Sequence, residues 1–266
     1  MHPSRTLQRD GLALAVYDAG GTGHPVIFQH GLCGDARQTA EAFPRDPRFR
    51  LITLECRGHG ASDFDPQPSL AKFAQDVAAL AETLGRPVPI GGISMGAAIA
   101  LRLAVTRPDL VSHLVLVRPA WATDPAPPNM APNAEVGLTL MRLPVAEGRE
   151  AFLSSPTAAA LAQSSPDNLS SLTGFFNRTP VSRTAILLTA ISRDGPGITP
   201  ADLQALNIPT LVAGCDKDAV HPLALSRDLA ALIPAATHIT LPPKGDDKAA
   251  HIAALHTAIT GFLTRI

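Results

Sequence analysis

Ser94 stands at the centre of Gly92-Ile93-Ser94-Met95-Gly96, a G-x-S-x-G pattern. A serine at that spacing suits the apex of a sharp strand-to-helix turn, with its hydroxyl presented to a reacting carbonyl. The glycines have a physical reason. Side chains on either flank would collide where the strand end and the helix start pass closely. Five residues of this kind also arise by chance, so the surroundings decide. Val88 to Ile93 is short and apolar, Met95 to Val105 is rich in Ala and Leu, and Pro108 lies beyond. Strand, turn and helix come in the required order.

A hydroxyl is a weak nucleophile. It needs a base to take its proton, an acid to orient that base, and two N–H donors for the developing oxyanion. In this arrangement the chain order is Ser, then Asp or Glu, then His. The apolar run Leu211-Val212-Ala213-Gly214 is followed by Cys215-Asp216-Lys217-Asp218-Ala219-Val220-His221-Pro222. Asp218 is the expected acid, because it falls in the loop just before the helix that Pro222 opens. Asp216, nearer the strand end, is second. A loop aspartate alone is more often a solvated turn or a cap, and only the chain order lifts catalysis above that.

Of nine histidines, His238 lies inside an expected strand. His251 and His256 flank the apolar stripe Ile252, Leu255, Ile259 and Leu263 of the last helix, so periodicity does not separate them. Depth does: His256 is roughly 7.5 Å further along the helix. His251 is therefore the expected base, although a histidine bordering a helix–sheet interface explains it nearly as well locally. A helix N-terminus disfavours imidazolium by roughly 0.3–1 kcal/mol, which would help keep such a base neutral.

The first oxyanion donor is expected at the N–H of Met95, the second in the loop Gln29-His30-Gly31-Leu32-Cys33-Gly34. Gly31 permits close backbone approach, which points to Leu32 N–H, with Cys33 second. The plain alternative is a glycine-rich turn. His30 reads as a loop brace, and Cys33 lacks a base of its own.

These groups must be positioned by a framework, and short apolar runs supply it. Thr6 to Gln8 and Leu12 to Tyr17 read as a hairpin turning at Asp10-Gly11. Residues 25–29, 50–54, 88–93 and 114–117 read as strands buried on both faces of a parallel sheet. Leu70, Phe73, Val77, Leu80 and Leu84 carry helical spacing, stopped by Gly85. The strand–helix rhythm then lapses and resumes with strand 210–214, helix 223–232, strand 237–241 and helix 248–263. Between them, prolines punctuate short helical pieces such as 150–163 and 184–193. Some 80 residues are too many for a loose loop in a compact domain, so this stretch is expected to be a helical insertion. Its place is over the C-terminal sheet edge, where open α/β sheets bind ligands.

Composition narrows the rest. Twenty-two basic and 23 acidic residues give a formal charge of −1 over 266 residues, with no basic excess to suggest nucleic acid. No run of about 18 apolar residues suggests a membrane span, and the N-terminus does not read as a signal peptide. Cys33, Cys56 and Cys215 show neither metal spacing nor a disulfide framework. A reducing cytoplasm is the expected location.

With these residues in view, the chain resembles the α/β-hydrolase fold superfamily, as a cap-bearing serine hydrolase of esterase or lactonase type. The carrying motifs are His30-Gly31-Leu32, Arg57-Gly58-His59-Gly60-Ala61-Ser62, Gly92 to Gly96, and the Asp218 to Pro222 loop. The resemblance implies an α/β fold: a mostly parallel central sheet flanked by helices, with a helical cap inserted after the sixth strand. The core would comprise 1–118 and 205–266, and the cap 119–204. It implies Ser94 as nucleophile, Asp218 as acid, and Leu32 and Met95 N–H as the oxyanion hole, with the Arg57–Ser62 segment structural. One departure stands out. Many relatives carry Gly-His right after the last strand, whereas Leu241-Pro242-Pro243-Lys244-Gly245-Asp246-Asp247-Lys248 has no histidine.

The expected activity is hydrolysis of a small, largely apolar ester or lactone through an acyl-enzyme on Ser94, with no metal or organic cofactor. Trp121, Phe152, Phe175 and Phe176, together with Met95 and Leu32, are candidates for an apolar pocket, though such residues are more often core. Acyl transfer, amide hydrolysis and C–C bond hydrolysis use the same residues. A ligand-binding protein without turnover is the reading from another class, supported by the missing loop histidine. The expected partner is a small acyl compound, with neither nucleic acid nor membrane involved.

Overall fold

The computed structural model describes residues 2–265. Eight strands form one sheet: β1 (Arg5–Arg9), β2 (Leu12–Asp18), β3 (His24–Gln29), β4 (Phe49–Leu54), β5 (Val88–Ile93), β6 (Val111–Val117), β7 (Thr210–Cys215) and β8 (Ala236–Leu241). Their spatial order is β1-β2-β4-β3-β5-β6-β7-β8. β1 and β2 pair antiparallel, β2 also pairs antiparallel with β4, and the rest run parallel. β5 and β7 are buried along their whole length, which explains their unbroken apolar runs. At the β8 edge the pattern loosens to a mostly half-buried strand.

The helices are α1 (Ala36–Ala42), α2 (Leu70–Glu82), α3 (Met95–Thr106), α4 (Ala131–Arg142), α5 (Val145–Leu153), α6 (Pro156–Ser164), α7 (Pro166–Gly174), α8 (Val181–Ser192), α9 (Pro200–Gln204), α10 (Leu223–Leu232) and α11 (Lys248–Leu263). Six of them, α4 to α9, lie between β6 and β7. The helix expected over 150–163 is two helices. Ser155 caps α6 by accepting from Ala158 N, and Pro156 opens it, so the helix cannot run through. α1 has no counterpart in the hydropathy pattern. Its seven residues are mostly small and polar, and Asp35 starts it by accepting from Arg37 N.

Half-buried polar contacts brace the insertion and tie it to the parallel core. Trp121 Nε1 donates to Asp194 O at 3.0 Å, and Asp194 Oδ2 accepts from Leu70 N at 2.7 Å. Asn129 Nδ2 reaches Ala120 O and Val220 O. Within the insertion α4 and α8 cross closely, and a Cβ at Gly137 would lie 2.8 Å from Thr189 N. The Arg57–Ser62 turn is a bracing element: buried Arg57 donates to Asp76 and Asp65, and Ser62 Oγ donates to Glu55 O.

Candidate active site

β5 ends at Ile93 and α3 starts at Met95, so one residue makes the turn. That residue, Ser94, has φ 55° and ψ −109°. A non-glycine residue in this region carries strain of roughly 1–3 kcal/mol, held by what surrounds it. Ser94 N donates to Val117 O at 3.0 Å, and Ser94 O accepts from Ala97 N and Ala98 N at 3.0 and 3.2 Å. The flanking glycines are sterically required. A Cβ on Gly92 would meet the Gly96 carbonyl carbon at 2.6 Å, and one on Gly96 would strike the Gln29 carbonyl.

The loop after β3 lies against this turn. Gly31 N donates to Gln38 Oε1 at 2.6 Å, which fixes the loop to α1. A Cβ on Gly31 would sit 3.5 Å from Ser94 Cβ. Neither Leu32 N nor Met95 N donates to another group among the described residues. Cys33 is buried, and burial pushes its thiol up to about 12, which removes it as a thiolate nucleophile. His30 is a brace, with Nδ1 on Gly31 O and Nε2 accepting from Cys56 N at 3.0 Å.

Across the cavity, Asp218 is buried at 8% exposure, whereas Asp216 is exposed. Asp218 Oδ2 accepts from Arg118 Nε at 2.7 Å. Its Oδ1 accepts from Asn168 Nδ2 at 3.0 Å, His221 N at 3.1 Å and His221 Nδ1 at 2.8 Å. Burial alone would raise this carboxyl, but the charges of His221 and Arg118 and the hydrogen bonds outweigh it and hold the group ionised, well below the usual carboxylate range.

The histidine on Asp218 is thus His221, three residues on in the same loop, and not His251. His251 is 2% exposed, and its Nδ1 donates to Pro242 O at 2.8 Å. It binds neither Asp218 nor Ser94 and does not line the cavity beside Ser94. α11 begins at Lys248, and its first turn carries the ring to the carbonyl at the end of β8 instead of to the acid. His256 is on the outer side, with Nε2 donating to Glu41 O, and His238 Nε2 meets Ser226 Oγ. His221 has Nδ1 on the acid and lines the same cavity as Ser94. Burial lowers its pKa, with Asp218 opposing and Arg118 and Lys244 adding to the drop, which favours the neutral ring. No hydrogen bond joins Ser94 Oγ to a histidine. The short spacing Asp-x-x-His was the available sequence signal for His221.

The cavity encloses about 130 Å³. Leu32, Ile93, Met130, Leu172, Phe175 and Val220 form one part of its wall. The rest is polar: Gln38, Arg118, Asn133, Asn168, Ser171 and Lys244 join Ser94 and His221. A largely apolar pocket is therefore only half of what exists. Of the expected aromatic lining only Phe175 is there. Trp121, Phe152 and Phe176 are core residues, Phe152 and Phe176 with ring centroids 6.0 Å apart. Asn133 and Asn168 lie in the motif-poor insertion, and Arg118 follows β6 with φ 45°. Periodicity carries no signal for residues of this kind.

A family model described as alpha/beta hydrolase fold matches residues 24–247. The chain belongs to the α/β-hydrolase family. It is 30% identical over 237 residues to a putative non-heme bromoperoxidase, BpoC, of Mycobacterium tuberculosis, covering 86% of this chain and 89% of that protein. It is 31% identical over 140 residues to the mouse sn-1-specific diacylglycerol lipase ABHD11, a match spanning 51% of this chain and 44% of the lipase. In structure it resembles an esterase from Thermogutta terrifontis with a TM-score of 0.73 at 24% identity, covering 98% of this chain and 96% of the other. The loop after β8, residues 242–247, carries no histidine. There Asp246 accepts from Lys217 Nζ, and Lys244 reaches Asp167. Among the described residues, no helix is long and apolar enough to cross a membrane.

Proposed function

We propose that this α/β-hydrolase is a serine hydrolase of short acyl esters or lactones, with Ser94 as nucleophile, His221 as base and Asp218 as acid. The observation that carries the reading is the left-handed Ser94 at the cavity wall, beside two backbone N–H groups without partners. His221 takes the proton from Ser94 Oγ as that oxygen attacks the carbonyl. The oxyanion falls to the N–H groups of Leu32 and Met95, at a helix start whose dipole favours negative charge. His221 then returns the proton to the leaving oxygen, and water cleaves the acyl-enzyme by the same route in reverse roles. Asp218 keeps Nδ1 protonated, so Nε2 is the basic nitrogen. Residues 119–204 act as a cap over a small acyl substrate, and the cytoplasm is the working location. The enclosed volume supports short acyl groups in this conformation.

A ligand-binding protein without turnover is the second reading, favoured by the lack of a Ser94–histidine hydrogen bond. Labelling with a fluorophosphonate probe separates them. The hydrolase reading requires labelling that is lost in Ser94→Ala and strongly slowed in His221→Ala. No labelling of the parent protein would favour the binding reading, and slowing in His251→Ala alone would return the base to the last helix.

A further inference from the structure

The charged groups around the cavity are arranged asymmetrically: its wall holds donors and no carboxylate. Asp218 and Asp167 lie behind Arg118 and Lys244, and neither lines the space. Arg118 turns Nε and Nη2 to Asp218, which leaves Nη1 without a hydrogen bond among the described residues. Lys244 Nζ spends its contacts on Asp167 at 2.9 and 3.2 Å, at the half-buried rim. Asn133, in the first turn of α4, is 6% exposed, and its buried Oδ1 has no partner. No hydrogen bond engages its Nδ2 either. With no hydrogen bond to another residue among the described residues, Asn133 keeps its Nδ2 available as a donor to an occupant of the cavity. It lines the same cavity as Arg118, Lys244 and Ser94.

We propose that the cavity takes an acyl substrate bearing a second, anionic group, a carboxylate on a short chain, held by Arg118 and Lys244, with Asn133 Nδ2 donating to the same ligand. A neutral ester would offer the Arg118 Nη1 and Asn133 Nδ2 donors only carbonyl acceptors, whereas a carboxylate meets them with full charge and stronger, charge-assisted hydrogen bonds. Guanidinium suits a carboxylate geometrically, while the lysine adds charge without fixed direction. The positive potential has a second trace in the lowered pKa of His221, to which both cations contribute.

This assignment rests on the hydrolase reading for the position of the ester, but its test does not need turnover. Ser94→Ala protein is titrated by calorimetry with monomethyl glutarate, an anionic half-ester, and with neutral dimethyl glutarate. The half-ester should bind at least tenfold more tightly. In the Ser94→Ala background, Lys244→Gln, at the half-buried rim, should weaken half-ester binding several-fold and leave the diester unchanged. Asn133→Asp, which places a like charge in the cavity, should weaken it further. Equal or tighter binding of the diester would overturn the proposal. So would half-ester binding that neither variant changes. Labelling of Ser94 with no preference for the half-ester would sink this inference and spare the hydrolase reading. Half-ester binding by a parent protein that never labels would do the reverse.

Discussion

The two sides of the cavity are built by different means. On the β3–β5 side, backbone does nearly everything. Glycines permit the close passage at Ser94, and the free N–H groups of Leu32 and Met95 belong to the main chain. On the β7–β8 side, side chains do the work, with Arg118, Asn168 and His221 all meeting one carboxylate. On the side-chain side, His221 meets Asp218, and the loop between β8 and α11 has no histidine. A main-chain device depends on a few small residues and tolerates little change. A side-chain network can shift its base from one loop to another, provided the acid still finds a partner.

The largest effect should come from breaking the side-chain half. His221→Ala is expected to lower ester turnover by roughly 10³-fold, within the range for loss of a positioned base. His251→Ala should leave turnover within a few-fold and cost about 1–3 kcal/mol of stability by orphaning the Pro242 carbonyl. Steady-state kinetics with a short activated ester and chemical denaturation would measure both. Equal losses of turnover would dissolve the distinction between the histidines.

Next is the backbone half. Gly92→Ala forces a Cβ into the Gly96 backbone and should destabilise the fold by about 1–3 kcal/mol, lowering activity in the fraction that folds. A thermal melt that does not move would show that the turn has more room than its contacts imply.

Asn168→Ala removes one donor to Asp218 and should lower turnover about tenfold, a loss of roughly 1.4 kcal/mol in the transition state. If KM changes and kcat does not, Asn168 serves the substrate and not the acid.

The smallest effect is a displacement of the pH profile. His221 must be neutral to act as base, and burial lowers its pKa from the ordinary 6.5. Activity should therefore fall as pH drops through a value below 6.5, not at it. Arg118 contributes to the lowering, so Arg118→Met should move this acid limb toward higher pH. A limb that stays put, or moves lower, would mean that another group titrates there.

The parallel sheet and the turn at Ser94 were legible because they follow rules of period and backbone sterics. Six-residue apolar runs can hardly be anything but buried strands, and Gly92 and Gly96 mark a close passage. Chain order pointed to the Asp216–Asp218 loop, and burial separates Asp218 from Asp216. The histidine that meets Asp218 was not legible. His251 and His221 differ in where their rings point, and ring direction depends on the loop conformation and on which carbonyl or carboxylate lies opposite. Trp121, Phe152 and Phe176 failed as pocket residues for a related reason. Aromatic type gives burial but not which of two buried spaces a ring fills. Arg118 and Asn133 take their meaning only from neighbours distant in sequence, which periodicity does not encode.

Asn168 ties α7 to the loop that carries Asp218 and His221. Its Nδ2 holds the acid, its Oδ1 accepts from Val220 N at 3.1 Å, and it rides on α7. Any swing of α7 away from the core to admit a substrate would pull the amide out of both bonds at once. Asp218 would lose a donor, and the loop that carries His221 would lose an anchor. If Asp218 and His221 act as proposed, admission and reaction would be mutually exclusive postures of one helix, since proton transfer would require α7 to be seated.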